Sequence, residues 1–177
     1  MNIFKQVFNL LEQREDFALA TILSRSGSAP RVAGTRMIVR SDGSIIGTIG
    51  GGIFEARTQG LSGEVMKSGK TQVAEFLLKN DEAGRLGMIC GGRVEVLVQP
   101  LEGSNDSHKE LYRELLGALN KREKAWLVTQ IPEAEEHHSG LIQCLVKGDR
   151  SVIPQSSCGA ALDLVSKAPD NHPSTLE

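Results

Sequence analysis

Aromatic residues are scarce, at 4% of the 177 residues, too few to build a surface on which nucleic-acid bases stack. Charge of one sign is lacking too. The net charge of -2 gives no broad basic field to attract DNA, RNA or anionic lipid. No run approaches the roughly 20 apolar residues that span a bilayer. The start, Met1-Asn2-Ile3-Phe4-Lys5, lacks the charged opening and apolar stretch of a secretory signal. Cysteine is rare: Cys90, Cys144 and Cys158 are widely separated and form no Cys-x-x-Cys pair, which argues against a disulfide framework and a structural zinc site. These absences describe a cytoplasmic chain that binds neither nucleic acid nor membrane.

What is present suits a globular protein. Hydrophobic residues make up 40% of the chain, and the length suffices for one domain or a domain with an appended lobe. Phe4, Val7, Phe8 and Leu11 fall on one helical stripe, with Asn2 placed to cap it. Phe17 to Leu23 reads as a buried strand, Ser24 to Gly34 as a loop, and Thr35 to Arg40 as a second strand. Asp42-Gly43 signals a hairpin that returns through Ser44 to Ile49. After Gly50-Gly51-Gly52, the shared face of Phe54, Leu61 and Val65 indicates a helix, against which Gly60 and Gly63 count. Val73 to Leu78 and Arg93 to Gln99 read as strands.

Composition shifts after Gly103. Leu111, Leu115 and Leu119 mark a helix from His108 to Lys121. Trp126 to Ile131 and Leu141 to Val146 read as strands, and Cys158 to Lys167 as a last helix. The expected division is residues 1–103 as a first domain with glycine-rich loops, 104–167 as a second lobe, and 168–177 as a disordered tail. Adjacent strands, a hairpin and helices without a βαβ repeat give the fold class α+β (mixed α/β): a mixed or largely antiparallel sheet packed with helices.

Three segments carry potential chemistry. In Gly27 to Gly34, glycines free the backbone, Pro30 stiffens it, and Arg31 offers a planar fork of donors for phosphate or carboxylate. Ser28 adds a hydrogen-bond donor. The plainer reading is a tight connection with a solvated arginine. In Gly47 to Glu55, a glycine run between strand and helix lets the N–H groups of Gly50, Gly51 and Gly52 approach an anion at a helix N-terminus. Glu55 is placed as a cap or a polar ligand contact; the alternative is a flexible turn. In Cys90-Gly91-Gly92-Arg93 the glycines leave the thiol open, and a nearby Arg93 or Arg31 would favour the thiolate, a soft metal ligand and sulfur nucleophile. The alternative is a small buried cysteine.

Other patterns fail. Gly69-Lys70-Thr71 follows a helix instead of opening one, and its spacing from Gly63 is wrong for a nucleotide-phosphate loop. No dinucleotide fingerprint occurs. His137 and His138 sit in an acidic loop where a solvated role is commoner than a metal site.

Taken in order, Gly27-Ser28-x-Pro30-Arg31-x-x-Gly34, Gly47-Thr48-Ile49-Gly50-Gly51-Gly52-x-x-Glu55, and Cys90-Gly91-Gly92 before Pro100-Leu101 resemble the N-terminal domain of the XdhC/CoxI family of molybdenum hydroxylase maturation factors. The resemblance implies a chaperone for molybdenum cofactor (molybdopterin). Such a factor assists sulfuration of the cofactor and its insertion into a xanthine dehydrogenase-type hydroxylase, working with a cysteine desulfurase. It implies cofactor binding by Ser28, Pro30, Arg31, Gly34, Gly50, Gly51, Gly52, Glu55, Gly91 and Gly92, with Cys90 as sulfur relay or molybdenum contact. A homodimer is expected. Two departures stand out: Ile53 replaces the cysteine or alanine of many relatives, and the family's C-terminal Rossmann domain is not in this sequence, so a separate Rossmann-domain protein is a possible partner. The alternatives are a sulfurtransferase-like enzyme using Cys90 and an interaction subunit for such a Rossmann partner. Turnover chemistry is the less expected of these roles.

Overall fold

The structure, a computed structural model, describes residues 2–27, 31–78, 92–131 and 143–154, together with Leu162 and Val165. Helix α1 (Ile3–Glu12) begins where Asn2 Oδ1 accepts from the N–H of Phe4 at 3.0 Å, and it buries Val7, Leu10 and Leu11. Strands β1 (Phe17–Gly27), β2 (Arg36–Arg40) and β3 (Ile45–Gly47) follow. Then come helix α2 (Gly52–Ser68) and strands β4 (Gln72–Leu78) and β5 (Gly92–Leu101). Helix α3 (Asp106–Lys121) is capped by Asn105, and β6 (Ala125–Thr129), β7 (Gln143–Lys147) and β8 (Val152–Ile153) close the described fold.

β1 to β5 form one sheet in the order β3-β2-β1-β5-β4, and β6 to β8 form a second in the order β6-β7-β8. Every strand pair among the described residues is antiparallel. The fold is α+β, as the sequence pattern implies.

Strand alternation sends successive side chains to opposite faces. Ala18, Ala20, Ile22, Val94, Val96 and Val98 pack beneath α2 with Phe54 and Val65. Phe17, Leu19 and Leu101 pack on the other face against Val7 and Leu11 of α1, Leu111 and Leu115 of α3, and Leu145 of β7. One core therefore joins residues on both sides of Gly103. Gly103 itself is pinned: a Cβ there would lie 2.2 Å from the Arg14 carbonyl carbon, and its N–H donates to Asp16 Oδ1 at 2.8 Å.

Three readings need correction. Ser24 to Gly27 is strand, not loop, because β5 reaches back to pair with it after a register shift between Ile22 and Ser24. β3 stops at Gly47, whose φ of +89° ends the extended backbone, so Thr48 and Ile49 belong to a turn. Cys144, fully buried, is disulfide-bonded, because distance along the chain says nothing about distance in the fold. The final helix, apart from Leu162 and Val165, the tail, and the His137-His138 pair lie outside the described residues.

Candidate functional site

The antiparallel order turns Gly27, Gly47 and Gly92, the described strand termini of the three glycine-containing segments, toward one end of the larger sheet. β1 ends there at Gly27, opposite Gly92, where β5 begins, and Gly92 is in turn opposite Leu78, the end of β4. β2 starts at that end with Arg36 opposite Thr21, and β3 leaves it at Gly47, opposite Met37. The ends are staggered: Gly27 and Gly92 lie about 20 Å farther out along β1 than the Thr21 row, at the rise of a strand. Two contacts draw the stagger in. The N–H of Gly34 donates to Ile22 O at 2.8 Å and that of Ile22 to Thr35 O at 2.9 Å, which fastens the returning chain to β1. Phe54, in the first turn of α2, meets Phe76 edge-on with ring centroids 5.0 Å apart, and Phe76 is opposite Val94. The start of α2 thus overlies the outer part of β4 and β5.

At that helix start Gly50, Gly51 and Gly52 all have positive φ, at 144°, 79° and 63°, a sequence of conformations that only glycine adopts at little cost. They curl the backbone round one atom. Glu55 Oε1 accepts from the N–H of Gly51 at 2.8 Å, of Ile49 at 3.1 Å and of Gly50 at 3.3 Å, and also from the Thr48 hydroxyl. The second oxygen, Oε2, accepts no hydrogen bond from the described residues. Partial burial alone would raise the Glu55 pKa; the bonds from Thr48, Gly51, Gly50 and Ile49 outweigh it and hold the carboxyl below its usual range. The macrodipole of α2 acts in the same direction. Sequence reasoning placed an external anion in this cradle and gave Thr48 no role; the Thr-x-x-x-x-x-x-Glu spacing across the glycines was the available signal.

The other expected site residues divide. Arg31 is exposed and forms no ion pair among the described residues. Gly34, with φ of 83°, makes the turn into β2. Gly92 opens β5. Ser28, Pro30, Cys90 and Gly91 lie outside the described residues. Arg93, beside that thiol in sequence, has its guanidinium committed to Glu75 at 2.6 Å and reaches Glu95 at 3.5 Å. Glu95 also accepts from the Ser24 hydroxyl. Among the described residues no group of three His, Cys, Asp or Glu side chains is placed to hold a metal, and no helix is long and apolar enough to cross a membrane.

Residues 10–77 match the XdhC and CoxI family. Over 174 residues the chain is 30% identical to YqeB, an uncharacterized protein of Escherichia coli (strain K12), a similarity covering 97% of this chain and 31% of YqeB. Its fold is similar to a crystal structure described as a xanthine dehydrogenase from Bacillus halodurans, with a TM-score of 0.73 and 19% identity over 98% of this chain and 51% of that one. The chain thus spans about a third of the length of the curated relative and half that of the solved structure. The residues that match the XdhC and CoxI family contain both the Gly27 to Gly34 and the Gly47 to Glu55 segments.

Proposed function

We propose that this chain serves the maturation of a xanthine dehydrogenase-type molybdenum hydroxylase by binding the molybdenum cofactor and assisting its sulfuration and insertion. The reading rests on the family match over residues 10–77, and the observation that supports it is that Gly27, Gly47 and Gly92 stand at strand termini facing one end of the larger sheet. A site assembled from several chain reversals on a rigid sheet is the usual way to hold a ligand of mixed chemistry.

The described residues fit that ligand in part. Gly34 and Gly92 border the sheet end without side chains to block it, and Arg31 is exposed there, with a fork of donors suited to an anionic group. The N–H groups of Gly50 and Gly51 do not fit a phosphate as they stand, because Glu55 already holds them. Bound, the cofactor would supply the molybdenum and its sulfur chemistry; Cys90 is proposed as the sulfur relay or metal contact from its place in the sequence.

In this reading the client hydroxylase receives the cofactor, a cysteine desulfurase supplies sulfur, and a Rossmann-domain protein completes the site. The work is done by a homodimer in the cytoplasm, and the role is that of a chaperone, not a turnover enzyme. The test is to express the chain in a host that makes the cofactor, with and without a Rossmann-domain partner, and to measure pterin and molybdenum in the purified protein. Co-purification with the chain supports the reading. Failure to bind in both conditions, and with added cofactor, sinks it.

A further inference from the structure

We infer that Glu55 is the specificity-determining residue of the Gly50–Gly52 loop: by filling the loop's anion cradle with the chain's own carboxylate, it closes the loop to phosphate. The geometry carries the inference. A curl of successive backbone N–H groups at a helix start is a general anion receptor, and here those of Ile49, Gly50 and Gly51 converge on Glu55 Oε1 with the Thr48 hydroxyl. The Gly50 N–H is shared between Thr48 Oγ1 at 3.2 Å and Glu55 Oε1 at 3.3 Å, and the other three donors point at Glu55 Oε1, so none of the four is vacant for a second anion. The carboxylate is tethered within one helical turn of the cradle, so it competes at a high effective concentration against any phosphate in free solution. An approaching phosphate also meets a like charge, since Glu55 Oε2 accepts no hydrogen bond from the described residues that would spread its charge.

The closure is a property of the loop itself, whether or not the chain handles the molybdenum cofactor, and it leaves the binding of any phosphate to other donors.

The experiment titrates inorganic phosphate, at constant ionic strength, into the full chain and its Glu55→Ala and Glu55→Gln variants, following the backbone N–H resonances of Gly50 and Gly51 by NMR. The wild-type resonances should show no saturable shift. The alanine variant should show saturable shifts at both glycines, with an apparent Kd at least about tenfold below any wild-type limit. Where alanine leaves the chain unfolded, the glutamine variant decides: its neutral amide oxygen holds the same donors more weakly than a carboxylate and repels no anion, so phosphate should displace it and bind measurably more tightly than to wild type. Saturable binding by the wild type with an affinity equal to the variants, or no gain in any folded variant, overturns the inference.

Discussion

The hydroxyl of Tyr112, on α3, donates to Gln143 Oε1, on β7, at 3.3 Å inside the seam where the two sheets meet. Gln143 continues the chain, its Nε2 donating to Thr129 Oγ1 at 3.0 Å and reaching Gln99 Oε1 at 3.4 Å. Such a buried polar relay fixes how the second sheet sits on the first, because each member would be left unsatisfied by a shift. Complete burial pushes the Tyr112 phenol up to about 12, with the Arg36 charge and the Gln143 bond pulling weakly the other way. A raised acid pKa stabilises the fold fully below the usual value of 10 and loses that contribution as pH climbs toward 12. Tyr112 is the sole tyrosine, so absorbance near 295 nm during alkaline titration reports it alone. The expected midpoint is about 12; an ordinary midpoint would mean the phenol is not sealed in the seam.

Glu55 gives a pH effect of the opposite kind. Its folded pKa lies below the usual 4.5, so its contribution to stability is complete above that value and is lost as pH falls through the folded pKa. Urea midpoints measured from pH 6 down to pH 3 should show wild type losing more stability than Glu55→Gln, whose loop has no charge to lose. Parallel acid profiles would show that the carboxylate does not hold the loop.

Glycines far apart in the chain should respond to alanine with opposite sign. Gly103→Ala forces a Cβ into the Arg14 and Glu15 backbone, where no flexible side chain can yield, and should destabilise by about 3 kcal/mol or more. Gly60→Ala, mid-helix in α2 with no atom within 4 Å of the new Cβ, should stabilise by about 0.5–1 kcal/mol. Thermal or denaturant unfolding reads both; a neutral Gly103→Ala would mean the connection after β5 is not packed on the α1–β1 turn.

Much of the fold is written in local pattern. The stripe of Phe4, Val7, Phe8 and Leu11 gives α1, the Asp42-Gly43 pair gives the β2–β3 hairpin, and the alternation of Val94, Val96 and Val98 gives β5. What escaped is non-local. Ser24 to Gly27 looks like loop because its partner, Gly92 to Glu95, is distant in sequence and carries the information that makes it strand. α2 forms despite Gly60 and Gly63 because Phe54 and Val65 bury themselves on the sheet. Its inner hydroxyls are satisfied by the helix itself, Thr58 donating to Phe54 O at 2.9 Å and Ser62 to Thr58 O at 2.8 Å. The site was half legible. The glycines announced a cradle and the position of Glu55 announced a cap, but the convergence of Thr48, Ile49, Gly50 and Gly51 on one carboxylate oxygen depends on the positive φ of the three glycines.

The proposed site for a molybdenum–pterin ligand is the sheet end where Gly27 pairs with Gly92. The direct measurement is pterin fluorescence after oxidation, with molybdenum analysis, on wild type and Arg31→Ala purified from a cofactor-producing host alongside a Rossmann-domain partner. Pterin and molybdenum are expected in equal amounts with the wild type, with a loss of about tenfold or more in the variant if Arg31 contributes one charge-assisted contact. Wild-type protein that carries neither pterin nor metal, even with cofactor added, would contradict it.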